Sequence, residues 1–280
     1  MINFAEFAKG KIIGTSLGRF LISMRETLEI VRTAYRRQEN LGFLASDQLA
    51  TYLVCGMCRP NKVFVDVGAH VGSIVSCVLS RDSSVSVIAV EAIPDKVIAL
   101  KRNFPNIVVY ECAAGARAGL ASFHINTKHS GYSSLSSESR DSTEQVTVIE
   151  VKIKTLDSII SSQNVEVIKI DVEGGELGVV LGAKRLISEC RPIIMFESAP
   201  AEVLGYTKGA LWKHFADQEY AIVLPNRVAH IDPGLELEGF LESHLHPRRS
   251  TNYFGIPRER RDEIRYRARK LQGLSDVSYP

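Results

Sequence analysis

The chain has 280 residues, of which 45% are hydrophobic and 24% are charged, and this balance excludes an intrinsically disordered protein. Its formal net charge of +2 gives no indication of a nucleic-acid partner. The five cysteines form an odd and sparse set, which predicts reduced thiols and a cytoplasmic location.

The first 60 residues are predicted to be helical. Apolar residues from Phe4 to Val31 recur at helical spacing and indicate one helix over residues 3–37. A second helix is predicted to begin near Ser46 and Asp47, which are good N-cap residues, and to end before Pro60. We therefore expect residues 1–60 to form a helical extension.

Short apolar strands alternate with helices from residue 63 onward. This pattern indicates an α/β domain over residues 61–257, with a parallel sheet that helices cover on both faces. Strands are predicted at 63–67, 85–90, 107–110, 165–170, 192–196, 220–224 and 252–256, and helices at 71–80, 94–104 and 176–188.

Two segments follow a different pattern. Residues 120–125 and 146–153 alternate between apolar and polar side chains, which favours an antiparallel pair beside the main sheet. Residues 258–280 are predicted to form a basic terminal helix and tail.

A glycine loop follows the first predicted strand in the segment FVDVGAHVG. Gly68 allows a sharp turn after the strand, and Glu91 ends the next strand 23 residues later. A ribose-binding acid occurs at about this distance in dinucleotide folds. His70 stands where a dinucleotide fingerprint has its second glycine, and Asp66 would place a negative charge near phosphates. The loop thus favours an adenosine ligand with an ammonium or sulfonium group, as in S-adenosylmethionine.

Six segments carry a resemblance to a known family, and they occur in order with close to its usual spacing. They are FVDVGAHVG, AVEAIPD, SGYSSL, VKIKTLDSII, IKIDVEGGELGVVLGA and RPIIMFE. Over about residues 43–257 the chain resembles the FkbM-type S-adenosylmethionine-dependent methyltransferases. The resemblance implies a Rossmann-like, seven-stranded methyltransferase sheet and methylation of a hydroxyl on a sugar or secondary metabolite. His70 departs from the asparagine common in that family.

The predicted cofactor contacts lie at the ends of the first strands and in the loops that follow them. We expect S-adenosylmethionine to contact Asp66, Gly68, His70, Gly72, Glu91, Ala92, Ala113 and Asp171. Ligands of such sheets bind beyond the carboxyl ends of the strands, where the strand order reverses.

The catalytic candidates are acids at strand ends. Asp171 ends the strand in IKIDVEGGE, and we predict that it deprotonates or orients a hydroxyl acceptor, with Glu173 assisting. Glu197 ends the following strand and could face the same cleft. Caps of helix N-termini are the structural alternative for these acids. Their oxygens could also bind Mg²⁺ or Ca²⁺, but we predict a site without metal.

A polar loop of about 17 residues, HSGYSSLSSESRDSTEQ, separates the two alternating segments. We predict that this loop closes over cofactor and acceptor, with Ser133 and Ser134 as hydrogen-bond donors. His129 is a rival to Asp171 as the base. A flexible polar tether is the alternative.

Two other functions remain open from the residues alone. A nicotinamide-dependent oxidoreductase would bind NAD tightly, although the missing glycine at His70 speaks against it. A non-catalytic adenosine-binding adaptor would tolerate Asp171→Asn and Glu173→Gln. The expected partner is a small-molecule or glycan acceptor, not a nucleic acid. The terminal helices leave open contact with an anionic glycan, a membrane surface or a second copy of the chain.

Overall fold

The computed structural model describes residues 15–126, 146–198 and 206–274. The start of the predicted N-terminal helix, over residues 3–14, lies outside this part of the chain. So does the long polar loop, with His129, Ser133 and Ser134.

Ten strands form two sheets in the described part of the chain. They are β1 (Val63–Val67), β2 (Ser86–Glu91), β3 (Val108–Glu111), β4 (Ala113–Ala114), β5 (Gly119–Asn126), β6 (Val146–Lys154), β7 (Val165–Ile170), β8 (Ile193–Glu197), β9 (Tyr220–Val223) and β10 (Asn252–Pro257). The main sheet has seven strands in the order β3-β2-β1-β7-β8-β10-β9. Five neighbouring strands of this sheet run parallel, namely β3, β2, β1, β7 and β8. Strand β10 lies between β8 and β9 and is antiparallel to both. The predicted Rossmann-like, seven-stranded α/β fold is therefore confirmed.

The smaller sheet has the order β4-β6-β5. Strands β5 and β6 pair antiparallel from Gly119 opposite Ile153 to Asn126 opposite Val146. This pairing confirms the prediction from the alternating pattern. The two-residue strand β4 follows the end of β3 and connects the small sheet to the main one.

Helices cover both faces of the main sheet. They are α1 (Ser16–Arg36), α2 (Leu41–Met57), α3 (Ser73–Arg81), α4 (Pro94–Asn103), α5 (Leu156–Ile159), α6 (Glu176–Leu181), α7 (Lys184–Cys190), α8 (Lys208–Asp217), α9 (Leu237–Glu242) and α10 (Arg261–Leu271). Helix α2 begins at Leu41, several residues before the predicted Ser46.

The helix predicted over residues 176–188 is two helices. The break falls at Gly182, where a Cβ atom would lie 2.1 Å from the carbonyl oxygen of Gly115. The chain needs a glycine there because the backbone of the small sheet approaches it directly. The single continuous helix was therefore a wrong prediction.

Two apolar cores lie on opposite faces of the main sheet, because successive side chains of a strand point to opposite sides. Phe64 packs into one core with Leu53 of α2 and Ile264 of α10. Val65 packs into the other with Leu186 of α7 and Phe215 of α8.

The basic C-terminal helix packs against the domain. Ile264 and Ala268 of α10 are fully buried. Arg260 and Arg267 of this segment both bind the buried carboxylate of Glu166 on β7, at 2.8 Å each. Part of the positive charge that the sequence concentrates here is thus neutralised within the fold.

Candidate functional site

A cavity of about 320 Å³ opens at the carboxyl ends of the central strands. The strand order reverses between β1 and β7, since the chain proceeds outward to β2 and β3 on one side and to β8 on the other. Such a reversal leaves a crevice where ligands bind in open α/β sheets. The cavity lies where the sequence predicts the cofactor site.

Gly68 makes the turn that closes one side of this crevice. Its φ is +76°, and a Cβ atom would lie 1.8 Å from the carbonyl oxygen of Asp171. The Gly68 N–H donates to the Val90 carbonyl at 2.9 Å. The end of β1 is therefore held against the ends of both β2 and β7.

Glu91 presents an organised carboxylate at the end of β2. Its Oε2 accepts from the backbone N–H of His70 at 2.7 Å, and its Oε1 accepts from that of Ile93 at 2.8 Å. His70 has a φ of +49°, an uncommon backbone conformation outside glycine. Burial raises the pKa of Glu91, although these N–H bonds act in the opposite direction. Each oxygen keeps acceptor capacity for a ligand hydroxyl.

Lys169 is a buried cation beneath the crevice. Its Nζ lies 3.2 Å from Oδ2 of Asp171 and 3.3 Å from Oδ1 of Asp66, and it donates to the Gly68 carbonyl at 3.0 Å. Burial opposes its charge, but the two carboxylates hold the pKa of Lys169 above its usual range. Lys169 thus connects the ends of β1 and β7 electrostatically.

Asp66 does not lie where the sequence suggested. Its side chain is fully buried and is not part of the cavity wall. It faces Lys169 instead of a ligand cation, and burial raises its pKa despite that lysine. A buried acid needs a counter-charge, and Lys169 of the neighbouring strand β7 provides it. Asp66 therefore contributes to the site by pairing with Lys169.

Three acids meet at the open side of the crevice. Carboxylate oxygens of Asp171, Glu173 and Glu197 lie within 4.8 Å of one another. Asp171 and Glu197 share a hydrogen bond between their carboxyl groups. Oxygens at such separations can bind one divalent cation, so the predicted absence of metal stays a prediction.

The proton affinities within this acid cluster differ widely. Burial and the charge of Asp171 raise the pKa of Glu197 to about 10 and that of Glu173 to about 8. Burial acts the same way on Asp171, but Lys169 and the hydrogen bond from Glu197 outweigh it and lower its pKa. At neutral pH the negative charge therefore resides on Asp171, and Glu197 carries a proton.

The turn after β7 holds Glu173 in an unusual backbone conformation. Its φ is +53°, and Gly174 follows with a φ of +99°. A non-glycine residue in the left-handed region costs about 1 kcal/mol or more and persists only where the surroundings enforce it. The turn thereby directs the Glu173 carboxylate into the acid cluster.

The cavity wall includes most of the residues predicted from sequence. These are Gly68, His70, Glu91, Ala92, Ala113, Asp171, Glu173 and Glu197. Gly72 is absent from the wall: its φ is +86°, and a Cβ atom would lie 2.6 Å from the ring of Phe104. Gly72 therefore serves close packing of α3 against α4.

Sequence reasoning missed several cavity residues. They are Thr51, Ser73, Ile74, Phe123, Lys169, Met195 and Asn252. A lone lysine inside the apolar strand β7 was a signal that could have identified Lys169. Asn252 had no such signal: its Nδ2 donates to Asp47 of α2 at 3.1 Å, a contact that only the folded chain creates.

The donor set of the cavity fits S-adenosylmethionine better than a dinucleotide. Four of the lining residues are acids, namely Glu91, Asp171, Glu173 and Glu197. Among the described lining residues the basic ones are Lys169 and His70, and Lys169 is already paired with two carboxylates. A pyrophosphate would be repelled here, whereas a sulfonium and an ammonium would be attracted. Ile93, Ala113 and Phe123 offer an apolar wall for a base.

Several solved methyltransferase structures are similar to this chain. A methyltransferase FkbM from Methylobacillus flagellatus KT is 18% identical over 61% of this chain and 49% of its own, with a TM-score of 0.36. This chain thus spans about half the length of that protein. A precorrin-6y C5,15-methyltransferase from Geobacter metallireducens GS-15 is 14% identical over 63% and 72%, with a TM-score of 0.38.

A third similar structure is the magnesium protoporphyrin IX methyltransferase from Synechocystis PCC 6803, which has bound SAM. It is 13% identical over 64% of this chain and 70% of its own, with a TM-score of 0.37. Among curated proteins no significant match was found.

The sequence itself matches the model of the methyltransferase FkbM domain over residues 66–220, which is more than half of the chain. The matched region begins at the end of β1, contains the glycine turn, Glu91 and the acid cluster, and ends at the start of β9. The resemblance seen in the sequence is thereby confirmed, and the chain belongs to the FkbM family of S-adenosylmethionine-dependent methyltransferases.

Proposed function

We propose that the protein transfers a methyl group from S-adenosylmethionine to a hydroxyl oxygen of a sugar, glycan or secondary metabolite. The observation that carries the proposal is the acid cluster, whose three carboxyl groups meet beside the cavity with widely separated pKa values. When bound, the cofactor supplies an activated sulfonium methyl group. The protein's task is then to position the acceptor and to remove its proton.

In this proposal each acid of the cluster has a different role. Asp171, kept ionised by Lys169, accepts a hydrogen bond from the acceptor hydroxyl and orients it. Glu173, with a pKa of about 8, is the stronger base when ionised and takes the proton as the new C–O bond forms. Glu197 keeps its proton, donates a hydrogen bond to Asp171 and fixes the position of that carboxylate.

A hydroxyl acceptor fits the acid cluster better than a cationic acceptor does. An alcohol must lose a proton during methyl transfer, and carboxylates with raised pKa values are suited to receive it near neutral pH. The acceptor is expected to be a small molecule or a glycan and not a nucleic acid, because the cavity is lined with acids and its buried lysine is already paired with two carboxylates, which leaves little positive charge for a phosphate backbone.

The five cysteines support a cytoplasmic location. All five are free thiols, which agrees with a reducing compartment.

The first experiment is calorimetric titration with S-adenosylhomocysteine and, separately, with NAD⁺. We expect micromolar binding of the first and none of the second. The second experiment incubates the protein with methyl-labelled S-adenosylmethionine and a panel of hydroxylated acceptors, and it follows label in the product by mass spectrometry. Asp171→Asn and Glu173→Gln should each slow transfer at least about a hundredfold. The matched control Glu189→Gln, at an exposed position on α7, should not slow it.

The alternatives give different results. Tighter binding of NAD⁺ than of S-adenosylhomocysteine would support an oxidoreductase. Methyl transfer at the wild-type rate in both Asp171→Asn and Glu173→Gln would show that neither acid is catalytic. Transfer to nitrogen or carbon, located by fragmentation of the product, would contradict O-methylation while leaving the methyltransferase family intact.

A further inference from the structure

Helix α1 displays a continuous apolar surface to solvent. Its large apolar residues recur at alternating intervals of four and three residues, and each is between 42% and 85% exposed. We call this surface the apolar stripe, and it consists of Leu17, Leu21, Met24, Leu28, Val31 and Tyr35. At 1.5 Å per residue the stripe extends for about 27 Å along the helix. An exposed apolar patch of this extent marks an interaction site.

The opposite side of the helix faces the domain. Ile30, Thr33 and Ala34 are half-buried, whereas the stripe is exposed. Thr33 lines a crevice of about 310 Å³ together with Phe43 of α2 and with Arg248. Helix α1 therefore turns Ile30, Thr33 and Ala34 toward its own protein and the six large apolar residues of the stripe away from it. This orientation is the reverse of that of a helix that stabilises a domain core.

Arginines border the apolar stripe along one edge. Arg25, Arg32 and Arg36 are exposed, and each immediately follows a residue of the stripe, about 100° further around the helix. From Ser16 to Arg36 the sequence has four arginines and two glutamates. Glu29 follows Leu28 of the stripe on the same edge and is also exposed, so this edge carries three arginines against one glutamate. The outward surface thus combines apolar side chains with positive charge.

This charge distribution favours an anionic surface over a second copy of the chain. In a parallel helix pair the arginine edge would face the other edge of the partner stripe, formed by Phe20, Thr27 and Ala34. In an antiparallel pair it would face the same edge of the partner, which carries three arginines and one glutamate, Glu29. Neither arrangement supplies one carboxylate for each of Arg25, Arg32 and Arg36, whereas anionic lipid headgroups would supply a counter-charge to all three.

We propose that helix α1 docks the protein on the surface of an anionic membrane, lying in the interface with the apolar stripe among the acyl chains and the arginines at the headgroups. The combination of a long apolar face with flanking arginines is that of a helix lying in the membrane plane. Among the described helices none is long and apolar enough to cross a bilayer. The proposal is independent of the proposed methyl transfer.

The test is flotation of the full chain with vesicles of phosphatidylcholine alone or with 30% phosphatidylglycerol. We expect binding to the anionic vesicles and at least tenfold weaker binding to the neutral ones. Leu21→Gln/Leu28→Gln should lose binding to the anionic vesicles. Arg25→Gln/Arg32→Gln/Arg36→Gln should bind them at least tenfold more weakly. Ile98→Gln/Leu120→Gln, which changes equally exposed apolar residues elsewhere, should bind like wild type.

Sedimentation measures the oligomeric state, and thermal unfolding measures whether each variant is folded. Since the substituted side chains are exposed, all three variants should unfold at the wild-type temperature, so a loss of binding would not reflect misfolding. Absence of vesicle binding by wild type would overturn the proposal. So would a wild-type dimer that becomes monomeric in Leu21→Gln/Leu28→Gln, or binding that the arginine substitutions leave unchanged.

Discussion

Gly68 and Asp171 are in direct backbone contact, although 103 positions separate them in sequence: a Cβ atom on Gly68 would lie 1.8 Å from the Asp171 carbonyl oxygen. The turn after β1 and the turn after β7 therefore fix each other's position. The cofactor loop and the acid cluster form one unit, so a change in either turn moves both.

Gly68→Ala should damage stability and cofactor binding together. The new methyl group would force the two turns apart, and the φ of +76° is unfavourable for alanine. We expect a loss of about 2–4 kcal/mol in the free energy of unfolding and no detectable binding of S-adenosylhomocysteine. Urea denaturation and calorimetry measure the two effects. In Gly42→Ala, where a Cβ atom meets no neighbour within 4 Å, both quantities should stay near wild type. Unimpaired binding in Gly68→Ala would contradict this account.

Glu91→Gln should weaken S-adenosylhomocysteine binding by about 10- to 100-fold, because one oxygen of the carboxylate becomes an amide that repels the donors around it. His70 N–H and Ile93 N–H both point at this side chain, so the amide cannot satisfy both. Glu111→Gln is a matched control, since Glu111 is exposed at the register position opposite Glu91 on the edge strand β3. Equal affinities of the two variants would remove Glu91 from the cofactor site.

The methyl-transfer rate should depend on the ionisation of Glu173. A base with a pKa of about 8 is about one-tenth ionised at pH 7, so kcat should rise roughly tenfold from pH 6 to pH 7 and level off above pH 8. Glu173→Gln should lower kcat about 10²- to 10⁴-fold and abolish the rise. A pH profile of kcat under saturating cofactor tests this. A profile that keeps its rise in the variant would assign the proton to another group.

Glu197→Gln should stabilise the protein at alkaline pH. The folded chain keeps a proton on Glu197 up to a pKa of about 10, whereas an ordinary glutamate loses it near 4.5. The stability from this group is therefore complete at acid pH and declines as pH rises toward 10. The amide removes that decline, so the variant should exceed wild type by up to about 5 kcal/mol at pH 8 and by less than about 1 kcal/mol at pH 5.

Urea denaturation at pH 5 and pH 8 measures this difference. Glu238→Gln, at an exposed position on α9, should show no gain at either pH. A gain of equal size at both pH values would show that packing, and not proton binding, explains the effect of Glu197→Gln.

Glu166→Gln should loosen the C-terminal helix. The Glu166 carboxylate, almost fully buried, binds Arg59 at 2.7 Å and both Arg260 and Arg267 at 2.8 Å. Removing its charge leaves the three guanidinium groups with the partly exposed Glu263 as their shared carboxylate, which should cost about 2–3 kcal/mol. Hydrogen exchange should accelerate around the buried Ile264 of α10. For Glu189→Gln, which breaks an exposed pair with Arg185, we expect a loss below about 1 kcal/mol.

The order and type of most elements could be predicted from sequence because the strands are buried on both faces. Most of them therefore appear as short runs of apolar residues, such as Ile193–Phe196. Helix boundaries were harder to predict from sequence. The break at Gly182 depends on the approach of Gly115 from the other sheet, and no local pattern reports that contact.

The residues of the site also divide into those that the sequence could locate and those that only the folded structure brings together. Gly68, Glu91 and Asp171 could be located because they stand at the ends of strands, where the fold places ligands. The role of Asp66 was misjudged because its partner, Lys169, comes from a neighbouring strand that pairs with it only in the folded sheet. Asn252 and Asp47 are 205 positions apart, and only tertiary packing brings them together at the cavity.

The position of β10 between β8 and β9 has a consequence for the synthesis of the chain. Strands β8 and β9 are synthesised before β10 but do not pair with each other. Each therefore lacks its β10 neighbour until Asn252–Pro257 has been synthesised. Until the ribosome releases that segment, two apolar strands present unpaired edges, which invite association with other nascent chains. The cavity is also incomplete at that stage, because Asn252 belongs to its wall. The complete cofactor cavity therefore forms only after Asn252–Pro257 has joined the sheet.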